Sequence, residues 1–176
     1  MFGSPRKLDS ESDLYNAAMR ALMRRAHSVY EMRQSLERRA EDKSLVKKII
    51  ERLKSAGLID DARYAKQFAR QRTESRKQGK FRIARDLRAR GIPDRHIEAA
   101  LVELSQETDE AALIRARIQR KLKLLRGPNT GEKIDDRKIA SLYRSLLRAG
   151  FPSDLIRREL RSITREGVPE IEGELQ

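Results

Sequence analysis

Arginine is the residue type with the most chemistry to offer in this chain. Of 40 Lys+Arg, 28 are Arg; they stand against 27 Asp+Glu and give a net charge of +13 over 176 residues. A planar guanidinium pairs bidentately with phosphate or carboxylate. An excess this large implies an acidic partner: nucleic acid, an anionic membrane or an acidic protein. The cations are densest over residues 62–90, where Arg63, Lys66, Arg70, Arg72, Arg76, Lys77, Lys80, Arg82, Arg85, Arg88 and Arg90 stand against only Glu74 and Asp86. Residues 109–126 add Arg115, Arg117, Arg120, Lys121, Lys123 and Arg126, with no acid after Glu110. A lone helical Arg is ordinarily a solvated residue paired at i,i+4. Too few acids lie near 62–90 for that, so the segment reads as a binding face. The candidate contacts are Arg63, Arg70, Arg72, Arg76, Lys77, Lys80, Arg82, Arg85, Arg115 and Arg120.

Other chemistries are poorly represented, and no enzyme, cofactor or metal is expected. There is no Cys, hence no disulfide, zinc–thiolate site or thiol nucleophile. His27 adjoins Ser28 and His96 precedes the apolar Ile97, which suits capping or surface roles. Asp60-Asp61 and Asp135-Asp136 look like paired carboxylates, but each pair falls at an expected helix start, where acids cap and complement the dipole. Gly127-Pro-Asn-Thr-Gly131-Glu132-Lys133 resembles a phosphate loop only superficially. Its glycines are too close, Glu132 separates Gly from Lys, and no Ser/Thr follows. No Trp, four Tyr and four Phe argue against a reader of single strands by stacking. No apolar run is long enough for a bilayer, and residues 1–12 lack the apolar region of a signal peptide. A cytoplasmic setting without membrane contact is expected.

The elements that must position these cations are helices. Strand periodicity is absent, and nine Gly and five Pro fall where helices would stop. Helices are expected over 13–26, 29–40, 44–56, 62–76, 81–90, 93–104, 109–126, 136–149 and 152–163. Ser10 and Ser28 are placed as N-caps, Gly57, Gly91 and Gly150 as C-terminal stops, and Pro93 and Pro152 as first residues. A repeat underlies them. Leu36, Leu87 and Leu146 each have an apolar residue four before (Met32, Ile83, Leu142) and ten after (Val46, Ile97, Ile156). The series continues with Ile50, Leu101 and Leu160, then Leu53, Leu104 and Ile163. Gly91-Ile-Pro93 matches Gly150-Phe-Pro152.

The expected fold is therefore all-α: three tandem three-helix repeats in an elongated, curved array. The divisions are an N-terminal extension (1–12), repeats at 13–57, 58–106 and 107–165, and an acidic tail (166–176). The tail holds four Glu and no Lys or Arg, so the rest of the chain carries 40 basic and 23 acidic residues. It reads as a solvated end.

The stretch Leu58-Ile-Asp60-Asp61-Ala-Arg63-Tyr64-Ala65-Lys-Gln-Phe68-Ala-Arg70, followed by Arg76, Gly79, Ile83, Leu87, Gly91 and Ile92, resembles the bacterial RecX family. The similarity runs over about 13–163 and is densest in the middle repeat. The resemblance implies the three-repeat fold and a non-enzymatic regulator of the RecA recombinase. Such proteins lie in the helical groove of the RecA filament on single-stranded DNA and depress ATP hydrolysis and strand exchange, in recombination, repair and the SOS response. Among the motif residues, Asp60 or Asp61 would cap a helix, Tyr64 and Phe68 would pack together, and Gly91 would close one. The cations would meet RecA, single-stranded DNA and also double-stranded DNA, with the chain a monomer. A direct, sequence-independent architectural DNA binder is the alternative that net charge alone supports.

Overall fold

The structure, a computed structural model, describes residues 7–125 and 135–164. The Gly127–Gly131 loop, Arg126 and the acidic tail lie outside the described residues, as do the side chains of Leu125 and Ile163. The described residues form α1 (Glu11–Arg24), α2 (Val29–Glu37), α3 (Lys43–Ser55), α4 (Asp61–Arg76), α5 (Lys80–Arg88), α6 (Asp94–Glu107), α7 (Glu110–Leu125), α8 (Asp136–Arg148) and α9 (Ser153–Thr164). Extended pairing among them is confined to an isolated bridge between Leu8 and Ala40.

Helix ends follow local chemistry. Ser10 Oγ accepts the Asp13 N–H at 3.1 Å. Ser28 makes a full capping box, accepting from Glu31 N at 3.0 Å while Glu31 Oε2 accepts from Ser28 N at 3.3 Å. Gly57, Gly91 and Gly150 have φ of +66°, +70° and +91°, the left-handed stop that glycine adopts without a Cβ penalty. Pro93 and Pro152 sit one position earlier than expected. Their carbonyls accept from Ile97 and Ile156 N–H at 3.2 and 3.0 Å, which makes them caps. α2 ends at Glu37, short of Ala40, because the chain there turns to bridge Leu8: Leu8 N donates to Arg39 O at 2.7 Å, and Glu41 N donates to Leu8 O at 2.9 Å. α6 runs on past Leu104 to Glu107, since no breaker stands before Asp109. Asp109 then caps α7 through Ala111 and Ala112 N–H at 2.9 and 3.1 Å.

The chain divides into two compact units, Met1–Ala69 with Arg85–Glu103, and Arg70–Ala84 with Leu104–Gln176. Unit one packs α1, α2 and α3 around Leu14, Met32, Leu36, Ile49, Ile50 and Leu53. Unit two packs α7, α8 and α9 around Ile114, Ile118, Leu142, Leu146, Phe151, Ile156 and Leu160. The repeat anchors Leu36, Leu87 and Leu146 are all buried, as are Met32, Ile83 and Leu142 before them and Val46, Ile97 and Ile156 after them. Leu101 and Leu104 are only half-buried. Each unit also contains a junction where one helix's C-terminal turn abuts another's first turn. In unit one, Ser28 Oγ at the start of α2 donates to Arg90 O beyond α5 at 2.7 Å. In unit two, Gly79 N and Phe81 N at the start of α5 donate to Ala149 O and Gly150 O beyond α8 at 2.9 and 3.1 Å. In unit two, orphan backbone donors of one helix thus meet orphan acceptors of another.

Candidate partner-binding cations and the motif that frames them

The motif residues build the unit-one junction. Asp60 Oδ1 accepts from Ala62 N at 2.8 Å and Arg63 N at 3.1 Å, capping α4. The Arg63 and Ala62 amides hold the Asp60 carboxyl below its usual range. Asp61 Oδ1 reaches across to Val29 N at 2.9 Å, which ties the start of α4 to the start of α2. Tyr64 and Phe68 rings stack with centroids 6.0 Å apart. Arg90 lies over Phe68 at 4.7 Å, donates to Asp86 O at 2.7 Å and approaches Glu31 at 3.8 Å. Arg25 pairs with the same Glu31 at 2.9 Å. Burial pushes the Glu31 carboxyl up, but hydrogen bonds from Arg25 and Ser28 N–H and the nearby charges outweigh it, so it stays below its usual range. Burial raises the Tyr64 hydroxyl. Gly91 fits because there is no room for more: a Cβ there would lie 2.4 Å from Tyr30 Cβ. These residues are occupied in holding the fold.

The predicted cations divide. Arg63 and Arg85 belong to unit one; Arg70, Arg72, Arg76, Lys77, Lys80, Arg82, Arg115 and Arg120 belong to unit two. Several are engaged within the chain, because acids distant in sequence supply the partners that their own segment lacks. Arg63 donates to Gly57 O at 2.7 Å. Arg70 pairs with Glu107 at 2.7 Å, and Lys80 meets Glu110 through its backbone N–H at 3.2 Å and its Nζ at 3.9 Å. Lys66 and Arg88 pair with Glu103 and Asp94 at 2.6 and 2.8 Å. Arg115 bridges Asp109 at 3.3 Å and the buried Glu159 at 2.9 Å. Most of these pairs are exposed and contribute little to stability, so they remain available for exchange with a partner. Arg115 differs, since Glu159 is only 6 % exposed and, without Arg115, would keep just the longer contact to Arg158 at 3.7 Å among the described residues. Arg72 and Arg82 are half-buried; Arg76, Lys77, Arg85 and Arg120 are exposed.

Arg117 is a cation outside the candidate set. Its Nη1 donates to Arg76 O at 3.3 Å and Lys77 O at 3.2 Å, beyond the last turn of α4. Burial, and then the charge of Arg120, lower its pKa from the usual arginine value. The available signal was its i,i+3 spacing to Arg120; the carbonyls that it meets lie 40 or more residues away and leave no local trace. The two histidines line different clefts: His27 one of about 220 Å³ with Tyr64, and His96 one of about 390 Å³ with Asp60 and Asp61. Burial holds His27 below its usual pKa. Among the described residues, no cluster of three or more His, Cys, Asp or Glu is arranged to hold a metal ion. No described helix is long and apolar enough to cross a membrane.

A chain whose described residues are all-helical, with three-helix units and capped junctions, has the architecture of a helical repeat protein. A family profile described as RecX, second three-helix domain, matches residues 60–101. A Regulatory protein RecX from Halorhodospira halophila is 37 % identical over 142 residues, covering 81 % of this chain and 83 % of that protein. A Regulatory protein RecX from Prosthecochloris aestuarii is 32 % identical over 154 residues, covering 86 % and 95 %. The crystal structure of RecX from Lactobacillus salivarius matches with a TM-score of 0.71 at 24 % identity, over 87 % of this chain and 96 % of that one. The chain belongs to the RecX family of regulatory proteins.

Proposed function

We propose that this protein regulates RecA by binding its filament on single-stranded DNA, in the helical groove, and lowering ATP turnover and strand exchange. The observation that carries this reading is family membership across most of the chain, at up to 37 % identity to proteins named Regulatory protein RecX. The site supports it: unit two presents exposed cations whose weak surface pairs can be traded for acidic protomer surface or phosphate. The protein acts by occupancy, without chemistry of its own, in the cytoplasm and as a monomer. Direct architectural DNA binding is the second reading, motivated by the net charge of +13. Co-sedimentation separates the two. On the first reading the chain pellets with RecA filaments at about 0.15 M salt, where bare DNA holds it weakly because counterion release has lost its force. Equal retention on bare DNA and filament would favour the second.

A further inference from the structure

The acidic segment 166–176 has an alternative to solvent within unit two. It interleaves the apolar Val168, Ile171 and Leu175 with four glutamates and holds no cation. Unit two carries the reverse pattern. Phe81 and Leu147, 59 % and 40 % exposed, are the large apolar side chains that it leaves open among the described residues. Both border Gly150: Phe81 N donates to Gly150 O at 3.1 Å, and Gly150 N donates to Leu147 O at 2.9 Å. Cations surround this junction. Lys80 lies over the Phe81 ring at 5.6 Å, and Arg82 abuts Gly150. Arg144 is exposed and stands three residues before Leu147, on the same face of α8.

The length of the segment fits the return. α9 begins three residues after Gly150, and its 12 residues carry the chain about 18 Å away before Thr164. Seven extended residues span up to about 24 Å, so Ile171 reaches back to the junction, whereas Val168, at about 14 Å, falls short. The surface is also too small for a folded partner. Two side chains offer at most a few hundred Å², against the roughly 1,000 Å² that a specific interface between folded proteins needs. A tethered segment needs less, because a short linker holds it at an effective concentration on the order of millimolar. We propose that residues 166–176 fold back on unit two, seating Ile171 and Leu175 on the Phe81–Leu147 surface and their flanking glutamates against the cations around it. Apolar burial fixes which residues dock, and the ion pairs, weak singly, add along the segment. The docked segment covers Lys80 and Arg82, so it is a built-in competitor that an outside acidic partner must displace. The contact is a property of this chain alone and rests on nothing about RecA.

The chain has no Trp, so Leu175→Trp places a single indole in the segment. Its emission and its quenching by acrylamide in the full chain are compared with those of a free peptide of residues 165–176 carrying the same substitution. The proposal predicts blue-shifted emission and weaker quenching in the full chain, independent of protein concentration. Both should diminish in about 1 M salt, where the screening length falls to about 3 Å. Phe81→Ser with Leu147→Ser should return the indole to the peptide's values. Glu170→Lys with Glu172→Lys should do the same with unchanged Tm, which guards against a loss of folding in the double-serine variant. The double-serine variant should also bind polyglutamate about tenfold more tightly, as for a site that the segment leaves open about one-tenth of the time. A purely electrostatic role for the glutamates predicts no such gain, since that variant changes no charge. The proposal is overturned if the indole is as exposed as in the peptide, or if either double variant leaves it shielded. It is also overturned if the shielding falls on dilution, which would make a second copy of the chain the occupant.

Discussion

The junctions in the two units join a helix end to a helix start with different chemistry. Ser28 and Gly79 both stand eight residues before a buried anchor, Leu36 and Leu87. At the first, a side-chain hydroxyl closes the junction, reaching Arg90 O at 2.7 Å while also capping α2. At the second there is no side chain at all, and the backbone N–H of Gly79 reaches Ala149 O directly at 2.9 Å. The glycine is required by proximity: a Cβ at Gly79 would lie 2.4 Å from Gly150 O. The repeat therefore preserves apolar spacing, which sets which faces are buried, and leaves each junction to find its own hydrogen bonds. Unit one surrounds its junction with a compensated network of Glu31, Arg25 and Arg90. Among the described residues, unit two sets Arg117 near the like charge of Arg120. The first arrangement stabilises the fold, and the second is suited to an outside anion.

Substitutions can break this comparison at several strengths. Gly150→Ala should have the largest effect. It combines a left-handed φ of +91° with a Cβ 2.3 Å from the Arg82 backbone nitrogen, which cannot swing aside. A loss of about 3 kcal/mol or more is expected in denaturant unfolding. Gly57→Ala has similar φ but open space, so its loss should be only about 1 kcal/mol. A Gly150 variant no worse than the Gly57 variant would show that the unit-two junction is not tight. Ser28→Ala should cost about 1–2 kcal/mol, because it removes an N-cap and strands the Arg90 carbonyl.

The smallest effect is a pH dependence in unit one. His27 Nδ1–H donates to Arg25 O at 2.9 Å, and burial lowers its folded pKa below 6.5. The unfolded chain therefore binds more protons between the folded value and 6.5. Stability should be full above about pH 6.5 and fall as pH drops through that window. His27→Gln should flatten the curve there. A wild-type curve already flat just below pH 6.5 would show that His27 contributes nothing to it.

Much of the fold was legible because it rests on local rules. The apolar offsets around Leu36, Leu87 and Leu146 located the buried faces, and Ser28, Gly57, Gly91 and Gly150 marked helix ends. Helix ends set by distant contacts were not legible; Ala40 leaves α2 because Leu8 is there to receive it. The cations were legible as a composition and not as a geometry. Residues 62–90 lack acids only locally, since Glu103, Glu107 and Glu110 reach them from the next helices. Lys77 gave no sign of its left-handed backbone, because lysine in a helical run reads as one more helix former.

The central claim is that the unit-two cations carry regulation of a RecA filament. It is tested most directly by ATP turnover of RecA on single-stranded DNA as the chain is titrated in, wild type beside the double variant Arg70→Ala with Arg76→Ala. The account predicts that wild type depresses turnover near stoichiometric amounts, and that the double variant needs roughly tenfold more, a difference of about 1.4 kcal/mol, with little change in Tm. Unchanged turnover at excess wild-type protein, or full potency in the double variant, would contradict it.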